Sequence, residues 1–490
     1  DLQGGFGWYF EGIRVNPQNP LDICVLGVDL YRTMDGGASW FPAAPPWWTY
    51  EVHADKHTVI FTQNELILGT DGGAYRTDIN QGGVWTDMEN IPSTQYYRTT
   101  FNPHVPDQYF GGAQDNGTSG GNETIFNSWP RILGGDGFQP LFDPAEPDWI
   151  YGLTQYGDIW FSDNGGLDFN ELIEGMNGTR YWDMPFVMSP HNSKILFAGA
   201  DRVFTINMND TLREWSPISP DLTRQQTMAG GRYPAITAIA QSGLDSLRLY
   251  AGTQDGLIWT TADGGMNWTN ITDGTPGFFV TSIACSTINP TGVIATYSGY
   301  RDNDHQPYIY RSDDAGLNWI SIGTNVPMMG VNNILIMPSH EDTLLVAGTD
   351  GGVYVSFDAG IQWDRVGGNM PYMPVYDVDY NPVANTIVAA TFARGIMTFP
   401  ADELQLETAV EPIQIAHTHF FSVYPTISSG MITIQLDRGN HFTFPLHLSI
   451  INNSGIEIAR REIADENALQ FSIEADVADG LYYVRLFNHQ

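Results

Sequence analysis

The chain has 490 residues, 42% of them hydrophobic and only 16% charged, and its 21 Lys+Arg against 56 Asp+Glu leave a net charge of −35. A surface this negative repels phosphate backbones and anionic lipid, which excludes nucleic-acid binding and polybasic membrane anchoring. With Trp 14, Tyr 23 and Phe 25 there is ample apolar area for a large core, so a disordered chain is excluded as well.

The length suggests three domains, or one large repeat architecture with an appendage. Lysine is confined to Lys56 and Lys194, while Gly 52 and Pro 29 point to short strands and tight turns rather than long helices. Cys24 and Cys285 lie in apolar strand-like runs and read as two buried free thiols. No apolar run approaches the ~18 residues of a membrane span.

Taken in chain order, the first unit opens with the strand Ile13-Arg-Val-Asn-Pro17 and closes on Thr33-Met-Asp-Gly-Gly-Ala-Ser-Trp40. Leu66–Tyr75 then leads to Trp85, and Gln108–Ala113 leads through a Gly-rich insertion to Trp129. Ser162-Asp-Asn-Gly-Gly-Leu-Asp-Phe169 is a degenerate copy of the first box, and Ile195–Gly199 leads to Trp215. Three further well-formed boxes follow at Thr261–Trp268, Ser312–Trp319 and Ser356–Trp363, and Thr386–Ala390 leads to Phe399. In each box the Asp (Asp35, Asp263, Asp314, Asp358) is expected to accept turn amides. The glycines supply positive φ, and the aromatic (Trp40, Trp268, Trp319, Trp363) is expected to pack between sheets.

Nine unit-ending aromatics spaced by 36 to 53 residues have the period of a four-stranded propeller blade. The expected fold is therefore all-β, a multi-bladed β-propeller over residues 1–400, a linker at 401–416 and a small β-sandwich over 417–490. The last unit shows three strands, so closure needs one from elsewhere. That leads us to expect further chain upstream, and either a ten-bladed ring or part of two propellers. In the tail, the alternating runs Phe421–Tyr424, Met431–Leu436, Leu446–Ile451 and Leu481–Leu486 carry the sandwich pattern.

The boxes resemble the Asp-box (BNR) repeats of sialidases, xyloglucanases and sortilin-type propellers, over about four-fifths of the chain. The tail resembles the type A sorting domain of type IX secretion cargo in Bacteroidota. Val423-Tyr-Pro-Thr-Ile-Ser-Ser-Gly430 matches its opening, with Thr426-Ile427 in place of Asn-Pro, and Ala478-Asp-Gly-Leu-Tyr-Tyr-Val-Arg-Leu486 matches its later element. The resemblance implies export through the type IX outer-membrane machinery and a secreted, cell-surface location.

Two stretches carry chemistry outside the repeats. His53, Asp55 and His57 alternate, so on a strand they share one face and offer ligands to a divalent metal; a hydrogen-bonded structural cluster is the alternative. Gln114, Asp115 and Asn116, with Asp136 from a second Gly-rich stretch, could bind sugar hydroxyls or Ca²⁺ through oxygen, or close turns. Asp115 and Asp136 are also the pair nominated for catalysis, since a xyloglucanase-like hydrolase needs two opposed carboxylates. The expected function is binding or display of a glycan or protein ligand at the cell surface. A glycoside hydrolase and a structural subunit of a surface assembly are the alternatives.

Overall fold

The computed structural model describes residues 6, 8–10, 12–80, 83–88, 91, 93–125, 129–228 and 233–406. In the C-terminal segment it describes 421–424, 431–436, 445–452, 457–464, 470–474 and 482–487. Residues 1–401 and 402–490 form two compact units.

The first unit holds nine consecutive antiparallel sheets, numbered here as blades 1 to 9 in chain order. Blades 1 to 8 span residues 12–42, 56–87, 96–133, 141–171, 186–217, 236–270, 279–321 and 331–365 and have four strands each. Blade 9, residues 375–400, has three, as the sequence leads one to expect. Every pairing within a blade is antiparallel between chain neighbours, so each blade is a meander. Loops between strands 1–2 and 3–4 emerge on one face. Loops between strands 2–3, and the connections from blade to blade, emerge on the other.

The ten-bladed alternative does not hold, because a ring closes after seven blades. The inner strand Val375–Asn381 of blade 9 meets Tyr96–Asn102 of blade 3. The Asp377 carboxylate accepts from the Thr99 amide (3.0 Å), and Asn381 Nδ2 donates to Pro106 O (2.6 Å). Tyr96, Ala113 and Ala390 are buried together across the same seam. No donated strand is needed: closure is by packing of blade faces. Blades 1 and 2 stand outside this ring as a separate pair, sharing a core of Cys24, Leu26, Leu30, Val59, Leu66, Leu68 and Tyr75. That arrangement is the part-of-two-propellers alternative.

In blade 6, Asp263 accepts from Asn267 Nδ2 (2.7 Å), the Asn267 amide (2.9 Å) and Thr261 Oγ1 (2.7 Å), which holds its carboxyl down at about 2. The degenerate box keeps this pattern through Asn164, whose Oδ1 accepts from Ser162 Oγ and the Asp168 amide. The tryptophans do more than pack. Trp268, Trp319 and Trp363 donate their indole N–H to Ile218 O (2.8 Å), Ile271 O (2.9 Å) and Ile322 O (2.7 Å), the carbonyl just past the fourth strand of the preceding blade. Trp85 and Trp215 do the same to Ala43 O (3.0 Å) and Leu172 O (2.8 Å).

Both lysines are further ties between blades. Lys56 is fully buried and donates to Val28 O of the blade 1 loop (2.8 Å), and burial pulls its ammonium pKa down. Lys194 of blade 5 bonds Asp143 of blade 4 (2.7 Å) and lies over the Trp149 ring (3.7 Å). Cys24 and Cys285 are both free thiols, Cys24 buried as expected and Cys285 only half-buried because its strand end is partly open, and loss of solvation raises each to about 12.

The second unit contains two three-stranded antiparallel sheets. One pairs Met431–Leu436 with Phe421–Tyr424 and Gln470–Glu474; the other pairs Leu446–Asn452 with Glu457–Ile463 and Tyr482–Phe487. Strands 457–463 and 470–474 were not among the runs read from the sequence. Residues 425–430, 478–481 and most of the expected linker lie outside the described residues. No helix among the described residues is long and apolar enough to cross a membrane.

Candidate functional site

All of the candidate residues lie on the face that carries the 2–3 loops and the blade connections, opposite the Asp boxes. His53 comes from the connection into blade 2, Asp71 from the 2–3 loop of blade 2, and Gln114, Asp115 and Asn116 from the 2–3 loop of blade 3. Asp136 lies in the connection from blade 3 to blade 4. The site therefore joins the two-blade pair to the seven-blade ring.

The strand alternation expected for His53, Asp55 and His57 does not form. The strand begins only at Lys56, and Asp55 has φ +59°, which turns its side chain out of register. His53 Nε2 contacts Asp115 O (3.0 Å), across the junction. His57 Nε2 pairs with Asp71 Oδ1 (2.7 Å) beside Tyr9 and Phe10. Gly72 lies so close to His53 that an added Cβ would fall 2.4 Å from the imidazole Cγ, so only glycine fits there. The carboxylates converge instead: Asp55, Asp71 and Asp115 have ligand oxygens within 4.8 Å of one another.

Asp115 has φ +59°, a left-handed conformation held by its neighbours. Asp136 Oδ1 accepts its amide (2.8 Å), and Asn116 Nδ2 spans to Gln114 O (2.8 Å) and Asp71 O (2.9 Å). Burial, with Asp136 and Asp71 adding repulsion, pushes the Asp115 carboxyl up to about 6. Burial and Asp71 also raise Asp55. Asp136 is 5% exposed, and its second oxygen accepts from Gln155 Nε2 (2.6 Å), so both oxygens are consumed in holding loops. That leaves Asp136 a positioning residue beneath Asp115 rather than a carboxylate open to a substrate. Gln114 Oε1 accepts from Tyr97 OH (3.0 Å), which ties the loop to an aromatic wall of Tyr97, Phe138, Tyr376 and Phe392.

Sequence reasoning missed Asp71 and Gln155. Asp71 sits in Thr70-Asp-Gly-Gly73, the same turn as Thr349-Asp-Gly-Gly352, so nothing in the chain sets it apart. Three carboxylate oxygens within 4.8 Å can all reach one hard cation, since that is about twice a Ca–O bond of ~2.4 Å. Burial first, and the neighbouring carboxylates second, displace Asp115 and Asp55 upward, and a cation bound among them would oppose that displacement.

No family model matches the chain, and no curated protein matches it in sequence. Among solved structures it is similar to the GH74 enzyme of Niastella koreensis, at 14% identity over 80% of this chain and 82% of that one, with a TM-score of 0.22. It is also similar to the Cps50 (Swd1) β-propeller domain of Myceliophteria thermophila, at 13% identity over 63% of this chain and 98% of that one, with a TM-score of 0.45. At such identities the likeness concerns the propeller fold alone.

Proposed function

We propose that this chain is a secreted, cell-surface β-propeller protein that binds or displays, with its 2–3 loop face engaging a glycan or protein ligand. In this reading the C-terminal sandwich is a type IX, type A sorting domain that engages the outer-membrane export machinery. The resemblances of the boxes to Asp-box (BNR) repeats and of the tail to Bacteroidota sorting domains support the setting. The single observation that favours binding over hydrolysis is the state of Asp136. Of the two acids a hydrolase would need, it is buried with both oxygens engaged by Asp115 N and Gln155. The Asp55–Asp71–Asp115 group would hold one divalent cation, Ca²⁺ by its all-oxygen chemistry, and fix the loops of the binding face.

A second reading, a glycoside hydrolase, draws on Asp115 itself, since a carboxyl near 6 is what a general acid requires. A glycan array read alongside reducing-sugar release separates the two. Retention of a glycan without turnover supports binding. Sugar release that vanishes in Asp115→Asn refutes it in favour of hydrolysis.

A further inference from the structure

We propose that the cleft between blades 5 and 6 is a second binding site, which takes one neutral pyranose ring. It lies on the Asp-box face, opposite the carboxylate junction, and does not depend on the reading of that junction.

The deciding position is the strand 2 residue just before the small residue at mid-strand, which is Gly152, Ala198 and Ala251 in blades 4, 5 and 6. In blades 4 and 6 this residue is tyrosine. Tyr151, opposite Phe161, packs toward blade 5, where its ring meets Phe186 at 6.0 Å. Tyr250, opposite Thr260, packs toward blade 7, where its hydroxyl donates to Thr291 O in the turn between strands 1 and 2 (3.4 Å). In blade 5 the residue is Phe197, opposite Thr205, and the phenol oxygen is missing. Two residues earlier the contrast repeats. Blade 4 has Trp149, capped by the Lys194 ammonium (3.7 Å), and blade 6 has Arg248, paired with Asp245 (3.7 Å); blade 5 has the shorter Ile195. Two shortened side chains on one blade face leave a cavity of about 270 Å³, bordered by Ile195, Phe197, Ile218, Gln241, Ser246 and Leu249. It is formed wholly by blades 5 and 6, and the turn residue Asn192 and the box residue Gly264 place it on the box face.

The walls define the occupant. Among the described residues no Asp, Glu, Lys or Arg borders the cavity, and His191, its one titratable neighbour, contacts Ser242 O through Nε2 (2.8 Å). A charged ligand would lose its hydration there with no counter-charge to replace it, so the occupant is neutral. Phe197 and Ile218 offer an apolar surface to the C–H face of a sugar ring. Gln241 donates Nε2 to Ser246 O (2.6 Å), while its buried Oε1 has no donor among the described residues. A buried acceptor left unpaired is costly, and a ligand hydroxyl turned toward it relieves that cost. At the next joint the chain meets a similar need itself, since the Tyr250 hydroxyl supplies a donor to the turn of blade 7. About 270 Å³ falls just short of the ~300–1,000 Å³ of drug-sized ligand sites, which fits a single ring and not an oligosaccharide along its length.

The test is saturation-transfer difference NMR on the full chain, with glucose, galactose and mannose as neutral probes and glucuronate as the charged control. A Kd of about 1–10 mM is expected for a ligand of one sugar ring. At least one of the neutral hexoses should show transfer, and glucuronate should show none. Phe197→Tyr puts into the cavity the phenol that blades 4 and 6 already carry, so it should keep the native circular dichroism and lose the signal. Gln241→Leu keeps the bulk but not the acceptor and should weaken binding about tenfold. Absence of transfer to all three hexoses at about 50 mM, well above the expected Kd, overturns the proposal. So does equal transfer to glucuronate, or a signal that survives in folded Phe197→Tyr or is undiminished in Gln241→Leu.

Discussion

Replacing Trp363 by Phe measures what one indole tie contributes. Trp363 is 3% exposed and packs among Ile294, Ile309, Val326 and Tyr354, and its N–H reaches Ile322 O at 2.7 Å. Phe retains a six-membered ring in that cluster but strands a carbonyl between two blades. An orphaned buried acceptor costs about 1–3 kcal/mol, and the void left by the lost pyrrole portion adds about 1 kcal/mol. At about 2–4 °C per kcal/mol for a large domain, the midpoint of thermal unfolding should fall by roughly 4–16 °C. Trp40→Phe is the internal comparison: the residue is half-buried and no acceptor meets its indole among the described residues, so the loss should stay under about 1 kcal/mol. The measurement is a thermal melt of dilute protein at low salt. If Trp40→Phe lowers the midpoint as far as Trp363→Phe, the bond between blades is not what holds them and the reasoning fails.

Added Ca²⁺ at about 100 times its Kd should stabilise the protein by about 2.7 kcal/mol, and Asp71→Asn should abolish that gain in a calcium-dependent melt. The ring seam should respond to pH. Asp379, raised to about 7 by burial and by Asp377, is held protonated in the folded state across a range where the unfolded chain has lost the proton. Stability therefore falls as pH rises from about 4 to 7, and Asp379→Asn should flatten that fall, matching wild type at pH 4 and exceeding it at pH 8. Neither thiol, raised to about 12, should react with iodoacetamide in the native protein at pH 8; rapid alkylation of buried Cys24 or half-buried Cys285, read by mass spectrometry, would contradict this.

The blade count was legible because each unit carries its own punctuation: an Asn-Pro turn, a small-residue ladder and a box ending in an aromatic. Ring closure was not. Thr99, Asp377 and Asn381 decide it, and they are ordinary strand residues whose partners lie some 280 positions away. Asp115, Gln114 and Asn116 were found because glycines marked an unusual loop. The geometry of His53–His57 was misjudged because two-residue spacing predicts one face only on a strand, and a left-handed Asp55 ends that premise one residue before the strand starts. Asp71 stayed hidden because a turn repeated for closure and a turn used for a site are spelled alike.

The two lysines have a consequence for how this molecule meets chemical attack. The sequence has only Lys56, which is fully buried, and Lys194, whose side chain is 13% exposed and clamped between Asp143 and Trp149. The propeller therefore displays almost no nucleophilic side-chain amine. Aldehydes, activated esters and lysine-specific proteases find no ready lysine on the folded chain. Immobilisation or labelling has to proceed through carboxylates, of which there are many.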